Sequence, residues 1–137
     1  MNEEYDADAA VPEAACESLD GLYDDADLGA CVAALTERRP EETTVEAAAA
    51  VFGALANDHR IRALSALREG ELCACELQVV LEAPQSTVAT HLGRLREAGL
   101  VKTRKKGRWT YYRIADTAVT ELLELADAID APAESDD

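Results

Sequence analysis

Cys73 and Cys75 stand one residue apart and bring the most distinctive chemistry in the chain. Thiolates select soft ions: As(III), Sb(III), Cd(II), Pb(II), Zn(II) or Cu(I). A disulfide between residues i and i+2 closes a strained small ring, so the spacing suits joint ligation of one ion. As(III) and Sb(III) take three sulfurs, or two and a solvent ligand, whereas Cd(II) and Zn(II) favour four. Cys31 and Cys16 are the other two cysteines, both upstream. The competing reading is that these cysteines are small buried apolar residues. For Cys31 it has weight, because Leu28, Cys31, Val32 and Leu35 fall at ordinary helical packing intervals.

A second chemistry is carried by charge. The net charge is −15, but residues 94–113 hold eight basic side chains against Glu97 alone. Residues 1–50 carry 14 acidic and 2 basic groups, and residues 115–137 carry 8 acidic and none basic. A basic segment set inside so acidic a chain fits a polyanion partner better than a merely solvated turn. The acidic flanks, and only 3 Lys among 13 basic residues, fit a halophilic protein of a salt-rich cytoplasm. Loss of folding at low ionic strength would support that habitat, and indifference to salt would refute it.

These residues need elements to hold them. A helix is expected over Leu28 to Arg39, ended by Pro40, and another from Thr43, where Thr43-x-x-Glu46 fits a capping box. Asn57 or Asp58 caps the next, with Ile61, Leu64 and Leu67 on one face and Gly70 as its stop. A short helix from Cys75 to Leu81 buries Leu77, Val80 and Leu81. After Ala83 the next helix opens with Pro84 at its first position and runs to Ala98, with Val88, Leu92 and Leu95 inward. Two short helices joined by a tight turn form a helix-turn-helix. The second turns Gln85, Ser86, Thr87, Thr90, His91 and Arg94 largely outward, side chains suited to base edges and phosphates. His91 fits a phosphate contact or a packed ring better than a metal ligand, and His59 a surface or capping place.

Leu100 to Arg104 and Arg108 to Ile114 read as strands joined at Lys105-Lys106-Gly107, gathering Arg104, Lys105, Lys106 and Arg108 at the tip. Trp109, Tyr111 and Tyr112 suit a half-buried sheet. A last helix, Thr117 to Asp130, carries Val119, Leu122, Leu123, Ala126 and Ile129 as a core or dimer stripe. The expected fold class is mainly α with a β-hairpin wing, a dimeric winged helix-turn-helix. The expected organisation is an acidic arm with one helix over residues 1–42, the winged domain with a C-terminal dimerisation helix over 43–130, and an acidic tail over 131–137.

The stretch ELCACEL at Glu71 to Leu77 resembles the metal box of the ArsR/SmtB family of metal-responsive repressors. The likeness continues through STVATHL (86–92), LREAGLV (95–101) and KGRWTYYR (106–113), and upstream through ALANDHRIR (54–62). The resemblance implies a homodimeric repressor that holds double-stranded operator DNA when empty and releases it when loaded. Arsenic sensors with the compact site carry a third Cys where this chain has Gln78, so the compact three-thiolate site is not encoded. Cadmium and lead sensors complete the site from an N-terminal arm, where Cys16 and Cys31 stand here. The family's zinc site on the C-terminal helix has no counterpart, since His59 and His91 are the only histidines.

The expected function is thus an ArsR-type repressor responding to As(III) or Sb(III), with a Cd(II)/Pb(II)/Zn(II) sensor or a thiol redox-switched regulator as alternatives. An enzyme is not expected. The phosphate loop of a thiol reductase needs Cys, five residues, then Arg, and Arg38 lies one position too far from Cys31. No apolar run reaches the length needed to span a bilayer and no signal pattern opens the chain, so the expected location is the cytoplasm, away from membranes.

Overall fold

The computed structural model describes residue 21 and residues 25–129. The chain divides into two units with the boundary after Glu46. In the first, α1 spans Asp25–Glu37, with Cys31 and Val32 half-buried. Its end is marked by bonds from Arg38 N to Leu35 O and Arg39 N to Thr36 O, and Pro40 follows. Helix α2 spans Glu42–Leu55 and crosses the boundary. It starts earlier than the Thr43 capping box implied, because Val45 N already bonds to Glu41 O at 3.1 Å. Thr43 is therefore inside the helix.

The second unit continues with α3 (Asp58–Leu67), β1 (Leu72–Cys73), α4 (Ala74–Leu81), α5 (Gln85–Glu97), β2 (Val101–Lys106), β3 (Trp109–Ile114) and α6 (Thr117–Ala128). Asn57 caps α3, its side chain accepting from Arg60 N at 3.2 Å, and Asp116 caps α6 through Ala118 N at 2.8 Å. The core is built from Leu64, Leu77, Val88, Leu92 and Leu95, each no more than 1% exposed. Burying a side chain of this size stabilises the fold by roughly 1.5–3 kcal/mol, so these five hold α3, α4 and α5 as one block.

Two expected core residues lie outside it. Ile61 and Val80 are exposed, because the inward stripe of α3 centres on Ala63, Leu64 and Leu67 and the eight-residue α4 has room only for Leu77 and Leu81. Between α4 and α5, Glu82 adopts a left-handed φ of 51°. Pro84, at φ −70° and ψ 162°, is the cap of α5 rather than its first helical residue.

The sheet has the order β1-β3-β2, antiparallel throughout. Lys106 pairs with Trp109, so the hairpin turns on Gly107 and Arg108 alone, with Gly107 at φ 63°. A two-residue turn with positive φ matches the twist of its strands. Lys105 and Lys106 are consequently strand residues, a correction to the expected turn, and Leu100 belongs to the closure of α5, its N–H bonding to Leu95 O at 2.9 Å. Trp109, expected half-buried, is exposed at the hairpin end. On α6 Val119 is buried in the core and Leu123 packs against it, while Leu125 and, just past the helix end, Ile129 are 63% and 72% exposed. The fold is a winged helix-turn-helix, mainly helical with a hairpin wing.

Candidate thiolate and nucleic-acid sites

Cys73 ends β1 and caps α4, and Cys75 is the second residue of that helix. Cys73 is buried and Cys75 exposed. The Cys73 N–H donates to Glu76 Oε1 at 2.9 Å, a carboxylate closing the start of the helix as a capping box does. On the sheet side Cys73 pairs with Tyr111. One thiol is therefore fixed between strand and helix, with its neighbour open to solvent.

Two thiols at one corner fit a soft ion as two of its ligands. Among the described residues no group of three or more His, Cys, Asp or Glu could hold a metal. Cys31 lies on α1 in the first unit, and Cys16 lies outside the described residues. Gln78, within α4, supplies no thiol.

The face of α5 exposes Gln85, Ser86, Thr90 and Arg94, with Thr87 half-buried. Thr90 Oγ1 donates back to Ser86 O at 3.0 Å. His91 departs from the expected outward face. It is half-buried, its Nδ1 lies 3.1 Å from Arg60 Nη1, and its ring packs 5.0 Å from that of His59. Burial first, then the neighbouring Arg60 and His59, holds its pKa below the ordinary histidine value. His59 is likewise no surface or capping group: its Nδ1 is buried and has no hydrogen-bond partner among the described residues. Arg60 also donates to Ala54 O at 2.6 Å, so it stitches the end of α2 to α5.

On the wing, Lys105, Lys106 and Arg108 are exposed, and the Arg108 guanidinium stacks 5.1 Å from the centre of the Trp109 ring. Arg104 is different from the free cation expected at the tip. Its Nε lies 2.9 Å from both carboxylate oxygens of Glu71, its Nη2 bonds to Oε1 of the same group, and it sits 5.5 Å from the Tyr111 ring centre. The hydrogen bond from Arg104 is the main reason the Glu71 carboxyl is held below its ordinary pKa. The roles of Glu71 and Arg60 are not visible in the sequence. Their partners lie 33 and 31 residues away, and no local pattern announces a pairing at that separation.

Residues 57–103 match the bacterial regulatory protein, arsR family. A 93-residue stretch is 41% identical to the transcriptional repressor SmtB homolog of Synechocystis, covering 65% of this chain and 70% of that one. The chain belongs to the ArsR/SmtB family. It is accordingly a winged-helix transcriptional regulator of a DNA-binding family, not an enzyme. A 65-residue stretch is 52% identical to the arsenic resistance transcriptional regulator ArsR1 of Pseudomonas putida, covering 47% of this chain and spanning only about half of that relative, 51%. Among ArsR/SmtB-like structures, the homodimeric winged helix-turn-helix DNA-binding domain of a possible ArsR-family regulator from Mycobacterium bovis, solved by NMR, superposes with a TM-score of 0.61 at 29% identity, covering 67% of this chain and 87% of that one. Among the described residues no helix is long and apolar enough to cross a membrane.

Proposed function

We propose that this ArsR/SmtB protein is a homodimeric cytoplasmic repressor of double-stranded operator DNA, released when a soft metal or metalloid, As(III) or Sb(III) in first place, is held by Cys73 and Cys75. One observation carries the reading. Both thiols stand at the start of α4, and α4 packs through Leu77 and Leu81 in the same core as Val88 and Leu92 of α5, the helix whose polar side chains face outward. The bound ion supplies strong sulfur ligation that favours one backbone arrangement of this corner. Cys73 is buried and Cys75 exposed, so directing both sulfurs to one point would turn at least one of them and tilt the packed α4–α5 block as a unit.

Gln85, Ser86, Thr87, Thr90 and Arg94 read base edges and phosphates in the major groove, His91 supports that helix from behind, and Lys105, Lys106 and Arg108 meet the backbone from the wing. A dimer must set its two reading helices about one DNA turn apart, so a small tilt spoils both half-sites together. The exposed Leu125 of α6 and Ile129 just past its end are the apolar surface available for that dimer, and the homodimeric structural relative supports it. Linkage makes the effect mutual: the ion weakens DNA binding and DNA weakens ion binding by one factor, about 5–150-fold in typical cases.

A Cd(II), Pb(II) or Zn(II) response is the second reading. It is supported by the 39% identity over 79 residues to a cadmium resistance transcriptional regulatory protein homolog of Staphylococcus aureus, and it calls on Cys31 and Cys16 to complete the site. The test is binding to the DNA upstream of the protein's own gene, in reducing buffer at fixed high potassium, with each ion titrated against wild type and Cys73→Ser/Cys75→Ser. Release by As(III) or Sb(III), lost in the double variant, is expected. Release by Cd(II) or Zn(II) alone, sensitive to Cys31→Ser or Cys16→Ser, would establish the second reading. Release only on oxidation, reversed by reductant, would replace both with a thiol switch.

A further inference from the structure

The ion pair between Glu71 and Arg104 ties the cysteine corner to the wing, and neither partner is needed for the fold's core. Glu71 lies two residues before Cys73, and side chains two apart on an extended chain share a face. Cys73 pairs with Tyr111 across β1 and β3, and Tyr111 pairs with Arg104 across β3 and β2. Arg104 then reaches back over the Tyr111 ring to both oxygens of Glu71. The result is a closed loop of contacts running from Cys73 across the whole sheet and back to the residue beside Leu72. Bidentate guanidinium–carboxylate geometry fixes direction as well as distance, and β1 itself is only two residues long, so little else ties that segment to the wing strands.

We infer that Glu71 and Arg104 are positioning residues that transmit movement of the Cys73–Cys75 corner to the DNA-contacting wing, with Arg104 serving as a strap rather than a phosphate contact. This rests on the ligand-release reading above. A turn of Cys73 shifts its partner Tyr111, and the strap carries β2 with it, so Lys105, Lys106 and Arg108 lose their register on the backbone while α5 is re-aimed separately. The pair is exposed, so its hold weakens as salt screens it.

The test compares wild type, Glu71→Gln, Arg104→Gln and the exchanged pair Glu71→Arg/Arg104→Glu. For each, DNA affinity without ion, ion affinity without DNA, and the ratio of DNA affinities with and without As(III), or whichever ion releases the wild type, are measured at two potassium concentrations. Hydrogen exchange of the β2–β3 amides in the ion-free protein gives a readout independent of any ion. Glu71→Gln is expected to leave ion affinity within about twofold, to speed exchange on the wing, and to cut the release ratio by about threefold or more. The exchanged pair is expected to recover most of it, and the wild-type ratio is expected to fall as potassium rises. An unchanged ratio in Glu71→Gln would overturn the strap. So would a large gain in ion-free DNA affinity in that variant, since Arg104 would then be a masked phosphate contact. If no ion releases the wild type, the ligand-release reading fails and the strap falls with it, a result visible before any variant is made.

Discussion

The reading helix and the cysteine corner are held by opposite means. Helix α5 is fixed by Val88, Leu92 and Leu95, packed to within 1% of complete burial against Leu64 and Leu77. The corner around Cys73 is fixed by a two-residue strand, one carboxylate cap and a surface ion pair. Apolar packing of the first kind is stiff because any displacement opens a void. Polar ties of the second kind exchange with water at little net cost. A regulator needs this division, because the part that reads DNA must keep its shape while the part that responds must move.

The comparison predicts unequal damage. Leu92→Ala, in the stiff part, should destabilise the protein by about 2–5 kcal/mol, measured by urea unfolding; a cost below about 1 kcal/mol would mean that α5 is not locked by its core. Next in size is Asn57→Ala, which removes the cap of α3 and should cost about 1 kcal/mol, again by urea unfolding.

The smallest effect should come from acid. His91 has its pKa depressed in the folded protein by burial and by Arg60 and His59, so as pH falls the unfolded chain takes up the proton first. Its stabilising contribution is complete above about 6.5, the unperturbed value, and is lost as pH drops through the folded value. Thermal melts at pH 7.5 and pH 5.5 should therefore differ more for wild type than for His91→Gln, while the five buried leucine and valine positions give no such dependence. Equal pH dependence in both proteins would remove His91 from the contact between α3 and α5.

The same contrast governs what could be read from sequence. Val88, Leu92 and Leu95 are legible because their spacing is a property of one helix, and Gly107 because a tight hairpin needs its positive φ, although the turn is Gly107 and Arg108 rather than the three residues from Lys105. The family box at Glu71 to Leu77 was legible as a string of residues. Its geometry was not, because β1 exists only by pairing with β3 some 40 residues on. Arg104 reads as one more wing cation in the sequence, and only the fold sets Glu71 beside it; His91 reads as a phosphate contact or a packed ring, and Arg60 and His59 beside it make it a packed one. Ile61 and Val80 sat at apolar intervals but on helices too short or too rotated for the core to use them. Local periodicity carries the stiff part of this molecule, and non-local polar pairing carries the soft part.

The unequal exposure of the two thiols has a kinetic consequence. Cys75 is open to solvent and Cys73 is shielded beside it, so an alkylating reagent should consume the first faster than the second, which reacts as the β1–α4 junction breathes. Cys73 is thereby a built-in stopwatch for local opening, and in a Cys75→Ser background its labelling rate times how often the sensor corner comes apart while the rest of the domain stays folded.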